Sequence, residues 1–177
     1  MTVKTLPTTI AQQLFAIPET SVYAILDGAS APRLPQTLEQ MEVEAECLFR
    51  GELDPELALV APYLAVARPG HRFTDWLLQE GWGQHWGVFA VSKADFRNLR
   101  MHLRTFLKVY GPDLTPLYFR YYDPRVLRTY LPTCDEQESR TVFGPVLRYV
   151  VEDEDPSVLL KFWPESGQVK SERVSLT

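Results

Sequence analysis

A chain of 177 residues, 45% hydrophobic and 23% charged, has the length and composition of one globular domain that buries roughly 70% of its unfolded surface, which excludes a disordered tail or a disulfide-dependent miniature. Its net charge of −5 argues against binding nucleic acid by neutralising phosphates, and two distant cysteines, Cys47 and Cys134, fit neither a redox nor a zinc spacing and suit a reducing cytoplasm. The opening stretch, broken by Pro7 and Pro18, does not read as a leader, and no apolar run approaches membrane-spanning length, so a soluble protein without membrane insertion is expected.

In chain order, Thr8 to Ala16 reads as a short helix with Ile10, Leu14 and Ile17 at helical spacing, ended by Pro18. Ser21 to Leu26 (SVYAIL) is apolar nearly throughout, as a central strand would be, and Asp27-Gly28 supplies its turn. A helix over Pro35 to Glu44 and a strand over Ala45 to Phe49 follow. Pro62 then separates a short helix from an edge-like strand at Tyr63 to Val66. Phe73, Trp76 and Leu77 mark a helix that Gly81 stops, and His85 to Val91 is the next strand.

Ser92, with Asp95 three residues on, predicts a capped helix whose apolar stripe is Phe96, Leu99, Leu103 and Phe106, while Arg97, Arg100, Arg104 and Lys108 lie on another face. Leu114 to Tyr122 alternates as a strand, Asp123-Pro124 breaks it, and Arg125 to Leu131 makes a helical turn or two. Thr133 with Glu136 predicts a second capping box, for a helix through Arg140. Strands over Pro145 to Glu152 and Ser157 to Trp163 follow, and the last dozen residues are either an edge strand or a loose tail. No repeat or linker divides the chain. The expectation is a single α+β (mixed α/β) domain over residues 1–177, with a mostly antiparallel or mixed sheet and flanking helices.

Charge is uneven. Thr37 to Glu56 holds seven acids and one base, and Lys93 to Arg128 eight bases and three acids. Surfaces of opposite sign would suit protein partners, and two solvated faces would look the same. Three guanidinium groups, Arg120, Arg125 and Arg128, fall within nine residues around Asp123, in FRYYDPR and just after it, beside Tyr122; they either fix the turn by pairing internally or clamp a partner's carboxylates bidentately. Trp82 and Trp86, set among Gly81, Gly83 and Gly87, read either as core or as an interface anchor. The basic stripe Arg97, Arg100, Arg104 and Lys108 is either a solvated face or a dock for an acidic surface. No zinc, Walker, nucleophile-elbow or dinucleotide motif is present, so neither cofactor nor metal is expected. An acid/base pair of Asp27 with His85 or His102 is the best enzymatic arrangement available, and Asp27 is better explained as turn chemistry.

The blocks YAILDGA (Tyr23 to Ala29), ECLFRGEL (Glu46 to Leu53), VAPYL (Val60 to Leu64), GWGQHWGVF (Gly81 to Phe89), MHLRTFLKV (Met101 to Val109), LYFRYYDPRVLRTYLPT (Leu117 to Thr133) and FGPVLRY (Phe143 to Tyr149), in this order and spacing, resemble domain-of-unknown-function family 4123, the effector chaperones or adaptors of type VI secretion. The likeness spans about residues 20–150. It implies a small cytoplasmic α/β protein, not an enzyme, that binds a toxin effector and helps load it onto a VgrG-type spike. A small hydrolase or ligand-binding protein, and a structural subunit of the secretion assembly, are the alternatives. The chain has little beyond FGPVLRY, so contacts that longer relatives make through a C-terminal extension are not expected here.

Overall fold

A computed structural model describes residues 6–177. The first five, part of the opening stretch read above as no leader, lie outside the described residues. Seven strands form one sheet: β1 (Ser21–Asp27), β2 (Ala45–Cys47), β3 (Pro62–Ala67), β4 (Gly87–Ser92), β7 (Val146–Glu152), β8 (Val158–Glu165) and β9 (Gln168–Ser175). Their order is β2-β3-β1-β4-β7-β8-β9, and every neighbouring pair is antiparallel. A small separate hairpin pairs β5 (Lys108–Tyr110) with β6 (Pro116–Tyr118).

The near-continuous apolar character of β1 follows from burial on both faces. Tyr23 and Ile25 point into one core with Val88, Ala90, Tyr149 and Val151, covered by α5 (Phe96–Leu103), α6 (Pro124–Tyr130) and α7 (Glu136–Phe143). Val22, Ala24 and Leu26 point into the other with Phe89, Val91 and Val150, covered by α1 (Leu6–Leu14), α2 (Leu34–Gln40), α4 (Arg72–Trp76) and the π-helical turn Leu77–Gly81. Period-two alternation along a strand thus feeds two cores at once. Helices on both faces of an antiparallel sheet bear out the expected mixed class, because long helical crossovers carry the chain between antiparallel neighbours.

Several expected boundaries move, each for a local reason. The strand at Tyr63 to Val66 is not at an edge: β3 lies between β2 and β1, and Pro62 is tolerated as its first residue. The helix expected to Glu44 stops at Gln40, and Glu42 takes a left-handed φ of 55°. The long basic helix ends at Leu103, so Phe106 and Lys108 leave its stripe. Its cap is Asp95, whose carboxylate accepts from Asn98 N at 2.8 Å, a contact worth about 1 kcal/mol; Ser92 closes β4 and donates to Pro145 O. The capping box is Asp135 with Glu138, because Thr133 sits in a 3-10 turn, Leu131–Thr133. Only Pro116–Tyr118 of the long strand expected to Tyr122 pairs. The C-terminal residues form the edge strand β9 through a two-residue turn, with positive φ at both Ser166 (52°) and Gly167 (77°), the mirror-image geometry that matches strand twist.

Candidate functional site

At one end of the sheet β1 stops at Asp27, β4 begins at Gly87 and β7 stops at Glu152. Asp27 is 1% exposed. One of its oxygens accepts from Ala29 N at 3.0 Å, and the other from Ser30 Oγ at 3.0 Å and Arg120 Nη2 at 2.5 Å. The turn needs Gly28, since a Cβ there would stand 2.5 Å from Ala61 O. Arg120 lies 6.0 Å from the ring centroid of Tyr122, itself buried.

Asp123, also buried, caps α6 by accepting from Arg125 N at 2.9 Å, and the same arginine returns its side chain, Nε at 3.0 Å and Nη2 at 2.8 Å, onto the two carboxylate oxygens. Burial pushes the Asp123 carboxyl up, but the hydrogen bonds from Arg125 and the charges of Arg125 and Arg120 together outweigh it and hold the group below the ordinary aspartate value. Arg128 Nη1 donates to Glu152 O at 3.2 Å. Thus Arg120, Arg125 and Arg128 do not converge on Asp123; each reaches a different acceptor on this rim.

Glu152, a third buried acid, ties down the loop before β4. It accepts from Gly83 N at 2.6 Å and His85 N at 3.0 Å, and His85 Nδ1 donates to it at 2.6 Å. Both Gly83 (φ 81°) and His85 (φ 61°) are left-handed, so the carboxylate holds a strained loop in shape. Trp82 Nε1 donates to Pro156 O at 2.8 Å, and Trp86 packs 5.0 Å from the Trp76 ring, both against the second core. Neither histidine proposed as a partner of Asp27 bonds to it: His85 holds Glu152, and His102 Nε2 donates to Val142 O at 3.2 Å. Among the described residues no group of three or more His, Cys, Asp or Glu side chains is placed to hold a metal ion.

The basic stripe comes apart. Arg97 is exposed on α5. Arg100 donates through Nε and Nη2 to Cys47 O and pairs with Glu46 at 2.8 Å. Arg104 donates to Leu48 O at 2.9 Å and Phe49 O at 2.7 Å. These two guanidinium groups therefore satisfy carbonyls along and just beyond the short outer strand β2, where no further strand pairs.

A surface that the sequence reading missed lies beside them. Among the described residues, eight of the ten exposed large hydrophobic residues sit on α3 (Pro55–Val60) and on the hairpin around β5 and β6: Leu57, Leu59, Val60, Val109, Tyr110, Leu114, Leu117 and Tyr118. Tyr110 is 69% and Leu114 79% exposed. Leu57, Tyr110 and Tyr118 line a groove of about 480 Å³, where the Phe49 ring lies tilted 5.3 Å from the Tyr118 ring. The signal was the apolar content of PELALV, KVY and PLY, three elements with no buried hydrophobic side chain to match it.

The model of the family described as Domain of unknown function (DUF4123) matches residues 22–141. That range takes in every block named above except FGPVLRY. No curated protein and no solved structure matches the chain. Among the described residues no helix is long and apolar enough to cross a membrane.

Proposed function

The chain belongs to the DUF4123 family, and on that footing we propose that it is a cytoplasmic effector chaperone of type VI secretion, holding a toxin and helping it onto a VgrG-type spike without turnover chemistry of its own. The observation that carries this reading is the groove where exposed Leu57 of α3 and Tyr110 and Tyr118 of the β5–β6 hairpin come together, on elements that carry eight of the exposed large hydrophobic residues among the described residues. A monomer rarely leaves so many together unless a protein covers them. The rim supports the same reading from the other side. Its three buried carboxylates, Asp27, Asp123 and Glu152, are engaged by arginines, His85 and backbone amides, so none of the three is free to act there as an acid or base.

The test is affinity purification of the tagged protein from its native cells at moderate salt, with mass spectrometry of what remains bound. Recovery of one large toxin with a VgrG-type spike, and absence of the protein from the secreted fraction, is the expected result. Return of the bait alone, under conditions that preserve spike complexes, overturns it.

A further inference from the structure

The groove between α3 and the β5–β6 hairpin carries positive charge with no acid on its walls. Arg50, Arg104 and Lys108 line it together with leucine, phenylalanine and tyrosine side chains, and no Asp or Glu does. That runs against the chain as a whole, whose 23 acids exceed its 18 bases. Arg50 is exposed and has no ion-pair or hydrogen-bond partner among the described residues. Lys108 lies 5.6 Å from the Tyr118 ring centroid and likewise pairs with no carboxylate there. Arg104 spends its donors on backbone carbonyls, which leaves its charge unneutralised by direct contact. Burial first, and then the neighbouring charges of Arg100 and Arg50, lower its pKa from the ordinary value; Glu46 opposes them at a distance while bound to Arg100. Mutual repulsion of this kind is relieved by an incoming negative charge.

We propose that this groove receives an acidic amphipathic segment of a partner protein, its apolar side chains against Phe49, Leu57 and Tyr118 and its carboxylates against Arg50 and Lys108. The inference specifies the docking chemistry of the chaperone reading and rests on that reading for the partner's identity. An apolar floor flanked by cations selects such a segment by two independent terms, burial of its hydrophobic face and pairing of its acids. A nucleic acid would meet the leucine floor without gain and the net negative charge of the protein with repulsion.

Fluorescence anisotropy with labelled helical peptides and the full chain tests it. The probes are a Leu/Glu amphipathic peptide, a Leu/Lys peptide with the same leucines, and a Gln/Glu peptide that keeps only the acids. The Leu/Glu peptide should bind at least about tenfold more tightly than either other, and less tightly as salt rises. The double variant Arg50→Glu/Lys108→Glu should lose about tenfold for Leu/Glu and gain for Leu/Lys, while Lys93→Glu, beyond the far end of β4, should leave both unchanged. Absence of Leu/Glu binding, equal binding of Leu/Lys, tighter binding of a single-stranded oligonucleotide, or the same loss in Lys93→Glu each overturns the proposal. So does dimerisation in sedimentation that Lys108→Glu abolishes, which would assign the groove to a second copy. If the wild-type chain captures toxin and spike from cells and the double variant captures them equally, the groove fails and the chaperone reading stands. If the peptide preferences hold but no secretion component is captured, the groove stands and the chaperone reading fails.

Discussion

The rim and the groove use the same residue types, arginines beside aromatic rings, in opposite states of compensation. At the rim, Asp27, Asp123 and Glu152 are buried, and each carboxylate meets a partner: Arg120 on Asp27, Arg125 on Asp123, His85 on Glu152. In the groove the cations meet no acid of the lining, and the rings of Tyr110 and Tyr118 lie open to solvent. Arginine spacing in a sequence therefore does not mark a binding surface; whether the fold itself supplies the counter-charge does. The rim is where distant segments are fastened, and the groove is where something remains to be fastened.

Substitutions that break the rim should cost far more than those in the groove. The largest effect is expected for Gly87→Ala, whose Cβ would stand 2.3 Å from Ile25 O on the neighbouring strand and 2.8 Å from Leu26 Cδ2. Urea denaturation should show a loss above about 3 kcal/mol, or no folded protein; a loss below about 1 kcal/mol would mean the strands part there without strain. Asp27→Ala leaves Ala29 N, Ser30 Oγ and the half-exposed Arg120 without their acceptor, at a cost of about 2–3 kcal/mol in the same experiment. Restoration of stability on adding Arg120→Leu would show that the stranded charge causes most of it.

Acid sensitivity should be smaller and divided in two. Burial, opposed only in part by the hydrogen bond to Val142, lowers the pKa of His102 from its ordinary value of 6.5. The unfolded chain therefore takes up that proton first; the contribution is complete above pH 6.5 and is lost as pH falls toward the depressed folded value. Asp123, also depressed, contributes above its ordinary value of 3.8 and loses that contribution as pH falls through its lower folded value. His102→Gln should flatten the first part of a stability–pH curve and Asp123→Asn the second, and an unchanged curve in either variant counts against the group concerned. The smallest effect belongs to the groove: Lys108→Glu should shift stability by no more than about 0.5 kcal/mol, because its ammonium holds nothing else in place. A drop comparable to that of Asp27→Ala would make the groove part of the fold instead of a dock.

Where one segment carried its own instructions, the chain could be read directly. The doubly buried strand at Ser21 to Leu26, the Asp27-Gly28 turn and the late strands of the C-terminal third were all legible, as was the ordered set of blocks that marks the family. Internal pairing of Asp123 with an arginine was one of two open readings, and the structure assigns that pair to Arg125. Glu152 was not singled out, since a glutamate at the end of an apolar strand looks solvent-bound until the loop at Gly83 and His85 folds over it.

By itself the sequence determined the mixed class, because burial periodicity and turn chemistry are properties of a few neighbouring residues, and its ordered blocks carried the resemblance to the family. Only the tertiary structure decided which arginines are neutralised. Arg120 and Asp27 are 93 positions apart, and Arg104 and Leu48 are 56. A charge's meaning depends on what the fold brings within reach of it, and no local pattern records that.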